Sequence, residues 1–209
     1  MNANTTVKTL LQMAGANPNP GALPESAVVL IDAQREYLDG GLRLDGIGLA
    51  LEKVNDLLVR ARAAGAPVIH IIHQGRPGGL FDLDGPGGQI ANEAMPIKGE
   101  LVVKKALPNS FAGTQLDDLL KATGRKSLIL AGFATHMCVS STARAALDLG
   151  YKTTIVADAT ATRSLPDPLG TKASADSHAL VSSADIQRAA LAALADRFAS
   201  VFPLAAILD

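Results

Sequence analysis

Cys138 is the only cysteine in the chain and lies in Gly132-Phe133-Ala134-Thr135-His136-Met137-Cys138-Val139, where an apolar run gives way to helical spacing. A thiol at the start of a helix meets unpaired backbone N–H groups and the positive end of the helix dipole. Both favour a thiolate and can hold an oxyanion, so this is a place for a nucleophile. Two other groups that could act beside a thiol sit at comparable points. Asp32 follows the run Ala27-Val28-Val29-Leu30-Ile31, and Lys105, with Lys104 before it, follows Leu101-Val102-Val103.

Positioning such groups requires strands that end together. Ala27 to Ile31, Pro67 to His73, Leu101 to Val103, Ser127 to Gly132, Thr153 to Asp158 and Val201-Phe202 read as strands from their β-branched apolar content. Helical spacing of apolar residues fills Ile47 to Ala64, Thr114 to Ala122, Met137 to Leu149 and Gln187 to Ala199. Strands alternating with helices imply right-handed crossovers, so the fold class is α/β: a three-layer, doubly wound, Rossmann-like sheet of about six mainly parallel strands. In such sheets ligands bind beyond the carboxyl ends of the strands, and Asp32, Lys105 and Cys138 would converge there. The Gly- and Pro-rich stretch from Gln74 to Lys98 has no sustained period and is expected to be a lid or a subunit contact.

Composition narrows the partners. The 209 residues suit one domain, with an arm over residues 1–25 and the domain proper over 26–209. Nineteen basic and twenty acidic residues are scattered along the chain, leaving a formal charge of −1 and no footprint for nucleic acid or an anionic membrane. The expected partner is a small molecule. No Gly-x-Gly-x-x-Gly follows the first strand and no Gly-Lys-Ser/Thr loop occurs, which argues against a nucleotide cofactor. The lone cysteine excludes an internal disulfide, and the N-terminal apolar fragment Leu10 to Ala14 is too short for a signal peptide or membrane span, so a reducing, cytoplasmic location is expected. A hydrophobic content of 48% points to a homo-oligomer, dimer or higher.

Between residues 26 and 201 the chain resembles the isochorismatase-like cysteine hydrolases. The resemblance rests on a strand ending in Asp32-Ala33-Gln34, on Lys105 six residues before Phe111, on Gly132-Phe-Ala-Thr-His-Met-Cys-Val-Ser-Ser-Thr-Ala-Arg, and on Val156-Ala157-Asp158-Ala159. It implies a catalytic set of Asp32, Lys105 and Cys138. The spacing to Phe111 favours Lys105 over Lys104, and alternation along a strand lets only one of them enter the crevice. It implies also a cis peptide at Phe133-Ala134, with the N–H groups of Ala134 and Cys138 forming an oxyanion hole. Asp32 would then be the base, and Lys105 would lower the thiol pKa.

The resemblance implies cleavage of the C–N bond of a small carboxamide or ureide through a thioester, with no cofactor. Hydrolysis of a vinyl ether is the alternative, and a non-catalytic binding protein on the same fold a second. Gln34, Tyr37, Phe111, Phe133, Thr135 and His136 are the expected pocket residues, with Arg163 nearby to bind a substrate carboxylate or a neighbouring subunit. Related nicotinamidases carry an Asp-x-His metal site. Here His70 and His73 lie three apart without that aspartate and face opposite sides of a strand, so no metal is expected and both are read as core or pocket-edge residues.

Overall fold

The apolar run after Pro24 forms β1 (Ser26–Ile31), buried along its whole length in the computed structural model, which describes residues 7–16, 18–170 and 179–209. Burial on both faces is what a central parallel strand requires. It is joined by β2 (Val68–His73), β3 (Leu101–Lys105), β4 (Ser127–Phe133) and β5 (Lys152–Ala161). A two-stranded hairpin, β6 (Leu165–Pro166) with β7 (Leu180–Val181), follows, and β8 (Ser200–Phe202) completes the main sheet. The helices are α1 (Leu10–Met13), α2 (Ile47–Ala63), α3 (Leu116–Ala122), α4 (Ser140–Asp148) and α5 (Ser183–Arg197).

The six strands run parallel in the order β3-β2-β1-β4-β5-β8. The chain moves outward from β1 to β3, then returns to place β4 on the other side of β1. A crevice must therefore open above the carboxyl ends of β1 and β4. Alternate residues of β1 serve separate layers. Val28 and Leu30 pack with Leu51, Val54 and Leu58 of α2, whereas Val29 and Ile31 pack with Leu120 of α3, Ala143 of α4 and Leu194 of α5. The three layers and the doubly wound order are those the alternation of elements predicts.

Three segments differ from the sequence reading. β5 continues past Asp158 to Ala161, because the pairing with β4 shifts between Leu130 and Gly132 and picks up again at Thr160. Asp158 therefore does not end a strand; its Oδ1 accepts the Leu204 N–H at 2.8 Å and holds the C-terminal segment. The stretch after Asp158, to which the sequence reading gave no element before Gln187, begins with strand residues and includes the hairpin, and its residues 171–178 lie outside the described ones. Within the N-terminal arm, Thr9 and Gln12 form a capping box on α1, whose Leu10 N–H is accepted by Asp196 of α5 at 2.8 Å.

The excursion from Gln74 to Lys98 is built around a buried carboxylate contributed by the β1–α2 connection. Glu36 accepts the Gly41 N–H at 2.6 Å and the Phe81 N–H at 3.1 Å. Gly75 lies so close to the returning chain that a Cβ there would stand 1.8 Å from Leu80 O. The excursion thus folds back tightly on itself and is tied to the β1–α2 connection through Glu36.

β4 meets β1 most closely at Gly132, which has φ +114° and whose Cβ, if present, would stand 2.0 Å from Ile31 O. Both the backbone conformation and the neighbouring backbone exclude a side chain. Gly132→Ala should lower the urea midpoint by an amount corresponding to more than about 1 kcal/mol, measured by equilibrium unfolding, since no rotamer can relieve a clash between backbones.

Candidate active site

Asp32 lies one residue past β1, fully buried, with φ +49°. Aspartate tolerates this left-handed conformation better than most residues, and it turns the chain away from the strand direction as the carboxylate enters the crevice. Lys105 reaches the same point from β3, two strands away. Its alternation with Lys104 decides which lysine enters: Lys105 is buried and Lys104 exposed. Lys105 Nζ stands 2.7 Å from Asp32 Oδ2 and 3.3 Å from Cys138 Sγ. Apart from that ion pair, neither oxygen of Asp32 accepts a well-formed hydrogen bond from the described residues. The carboxylate keeps acceptor capacity for a proton arriving in the crevice.

Cys138 comes from the other side of the crevice. After β4 the Phe133–Ala134 peptide bond is cis, and the chain enters a single widened, π-helical turn over Thr135–Val139 before α4 begins. The sequence reading placed Cys138 in the helix itself. In the structure the Ala134 carbonyl accepts both the Met137 and the Val139 N–H, at 3.0 and 3.2 Å, and this wide turn carries the thiol back over the sheet. Thr135 Oγ1 donates to Ala161 O at 3.0 Å and pins the turn against β5.

Burial sets the protonation of the pair. The Asp32 carboxyl is raised to about 6, chiefly by loss of water and partly offset by Lys105. The Cys138 thiol is pushed up to about 12, first by burial and then by the Asp32 charge, against the pull of Lys105. Lys105 does pull the thiol pKa down, as expected, but desolvation and a neighbouring carboxylate outweigh one ammonium, so the net shift is upward. At neutral pH the resting pair is an ionised Asp32 beside a neutral thiol.

Of the expected pocket residues, Tyr37 lies close enough to this centre to feel the charges of Cys138 and Asp32, and His136 sits on the turn that carries Cys138. The Tyr37 hydroxyl is driven upward by burial and then by the charges of Cys138 and Asp32, so it remains protonated beside them. His136 Nδ1 meets Thr162 Oγ1, and its buried Nε2 has no hydrogen-bond partner among the described residues. Burial and the adjacent Arg163 both depress its pKa. Arg163 itself donates to Ser164 O at 3.4 Å.

The other expected pocket residues have their polar atoms or rings engaged within the protein. The Gln34 side chain is used up on main chain, donating to His73 O and Gly88 O and accepting the His73 N–H at 2.7 Å. Phe111 stacks on Tyr151 with ring centroids 6.1 Å apart, and Tyr151 bonds to Asp117 of α3, which draws the Phe111 ring into the core layer. Phe133 is buried in the α2 layer against Tyr37, and the Thr135 hydroxyl is consumed by Ala161 O.

Sequence reasoning missed Phe81 and Glu36 and understated His73. Phe81, held by Glu36, has φ +58° and packs edge-on against Tyr37 and His73, at 5.0 and 5.1 Å between centroids. Neither residue belongs to a periodic segment, so no local signal marked it. The two histidines do face opposite sides of β2: His70 Nε2 bonds Glu100 at 2.8 Å, and His73 Nδ1 stands 3.3 Å from Lys105 Nζ. Among the described residues no group of three or more His, Cys, Asp or Glu side chains is arranged to hold a metal ion. Nor is any described helix long and apolar enough to cross a membrane.

Residues 26–205 match the family model described as the isochorismatase domain. The chain is 34% identical to the secreted isochorismatase effector Isc1 of Verticillium dahliae, over 90% of this chain and 93% of that protein. It is 29% identical to the ureidoacrylate amidohydrolase RutB of Stutzerimonas stutzeri, over 69% of this chain and 74% of that one. Among solved structures, an isochorismatase from Pseudomonas putida KT2440 superposes with a TM-score of 0.88 at 39% identity, covering 97% of this chain and all of that one. A match of this extent, on a doubly wound sheet whose crevice brings together an aspartate, a lysine and a cysteine, places the chain in the isochorismatase family of hydrolases.

Proposed function

We propose that the chain is a cysteine amidohydrolase that cleaves the C–N bond of a small carboxamide or ureide through a thioester. The observation that carries this reading is the Lys105 ammonium, placed 2.7 Å from Asp32 and 3.3 Å from Cys138 inside the protein. A neutral thiol needs a base only when it attacks, and Asp32, ionised at pH 7 with a pKa near that pH, is suited to the task.

Cys138 Sγ forms a bond to the substrate carbonyl carbon as its proton passes to Asp32. The carbonyl oxygen takes up the electron pair and is met by the N–H groups of Ala134 and Cys138. Collapse of this intermediate breaks the C–N bond, and the proton on Asp32 goes to the leaving nitrogen. Water then attacks the thioester, giving its proton to Asp32, and the second collapse releases the acid; Asp32 returns that proton to the departing sulfur. Lys105 balances the negative charge that moves between carboxylate and sulfur, and Tyr37 walls the centre.

Vinyl-ether hydrolysis is the second reading, favoured by the name of the Verticillium relative and by the raised pKa of Asp32, which would let it donate a proton. That reaction needs an acid and no nucleophile, so the two readings part at Cys138.

A panel of small amides and ureides assayed for ammonia release tests the proposal. Cys138→Ala should lower turnover by at least about 1,000-fold with little change in Tm; near-normal amide hydrolysis in that variant would refute it. Lys105→Ala should be comparably damaging, and Lys104→Ala should stay within about twofold of wild type, because its side chain is in water. The wild-type kcat/KM should fall on the acid side of about pH 6, as Asp32 takes up a proton and ceases to be a base.

The reactivity of the thiol supplies a separate measurement. Alkylation of Cys138 by iodoacetamide should keep accelerating beyond pH 9, as a thiol pushed up to about 12 requires. Asp32→Asn should move that profile to lower pH, since it removes a charge that opposes the thiolate and leaves Lys105 in place. A wild-type profile that levels off below pH 8 would show a pre-formed thiolate and overturn the proton inventory.

A further inference from the structure

Lys105 Nζ carries three hydrogens, and the crevice presents three acceptors: Asp32 Oδ2 at 2.7 Å, Cys138 Sγ at 3.3 Å and His73 Nδ1 at 3.3 Å. An ammonium has no lone pair, so the contact with His73 exists only if Nδ1 is the acceptor and the ring proton is on Nε2. Burial and the Lys105 charge both depress the His73 pKa, which keeps the ring neutral at pH 7.

The surroundings of His73 hold that ring in place. His73 pairs in register with Lys105 across β2 and β3. Its main chain is gripped at both ends by the Gln34 amide, which accepts from His73 N at 2.7 Å and donates to His73 O at 3.0 Å. Its ring packs against Phe81, whose N–H is bonded to the buried Glu36. The excursion and the β1–α2 connection thus converge on one imidazole that touches the catalytic set through Lys105.

We infer that His73 is a positioning residue: it takes the third hydrogen of Lys105 and so aims the ammonium at Asp32 and Cys138 together. This rests on the proposed roles of those three residues. His73 transfers no proton in the reaction; without its acceptor the ammonium is free to turn toward Asp32 alone and leave the sulfur.

Asparagine and glutamine at position 73 test this. Asn places its Oδ1 where the Nδ1 of histidine lies, whereas Gln carries its acceptor one bond farther out. The first readout needs no substrate: the rate of Cys138 alkylation by iodoacetamide at pH 8.5. His73→Asn should react within about twofold of wild type, and His73→Gln at least about threefold more slowly, because a displaced ammonium stabilises the thiolate less. In the amide assay His73→Gln should lose about tenfold or more in kcat with KM unchanged, and His73→Asn should not.

His73→Leu supplies a variant with no acceptor at all that still fills the space beside Phe81, so a folding defect in His73→Gln, seen as a lost melting transition, does not stop the test. If His73→Gln or His73→Leu alkylates at the wild-type rate, or if His73→Asn is as slow as they are, the inference is overturned. Should wild type hydrolyse no amide at all, the amidohydrolase proposal fails by itself. The alkylation contrast still decides whether His73 positions Lys105.

Discussion

Removing a carboxylate and an ammonium from water costs several kcal/mol for each ion, and their attraction repays this only where geometry and further hydrogen bonds are favourable. Asp32 and Lys105 stand 2.7 Å apart with both side chains fully buried and with no further hydrogen bond to the carboxylate from the described residues, so the contact depends on the local architecture that holds it. Strand order brings the end of β3 across β2 to within a lysine's reach of β1. The left-handed turn at Asp32, the close approach of Gly132 to Ile31 and the clamp of Gln34 on His73 each fix one side of the pair. Removing either ion alone would leave the other buried without a counter-charge, so the pair constrains the fold as well as the chemistry.

The same pair decides the state of the nucleophile. An isolated ammonium 3.3 Å from a thiol would favour the thiolate, yet here the carboxylate and the absence of water oppose it and prevail. With the carboxyl at about 6 and the thiol at about 12, the sulfur holds its proton at neutral pH. This arrangement keeps the thiol neutral, and so less prone to chance alkylation or oxidation, while the carboxylate stands beside it. In the proposed reaction the cation does not need to pre-ionise the thiol; it balances the negative charge as the proton moves.

A second buried carboxylate, Glu36, organises the excursion after β2. Its oxygens accept main-chain N–H groups from Gly41 and Phe81, so a long segment without regular structure is held by directed bonds at its middle. Through Phe81 that segment touches Tyr37 and His73, which both lie close to the catalytic residues.

The sequence by itself determined the layer order, the strands and helices that carry the sheet, and the arrival of Asp32, Lys105 and Cys138 at its carboxyl edge. These follow from apolar periodicity and from what stands at the end of each run, both of which are local properties of the chain. Whether Gln34 and Phe111 line a pocket or brace the core, whether His73 touches Lys105, and where the Cys138 proton rests were decided only in three dimensions. Gln34 is polar and near the site in sequence, but main chain 39 and 54 residues away consumes its amide. The pKa of Cys138 likewise depends on how much water is excluded and on which charges lie within a few ångströms, and no spacing along the chain encodes either. Period and chemical type are written residue by residue, whereas desolvation and hydrogen-bond satisfaction are sums over neighbours that only the folded chain assembles.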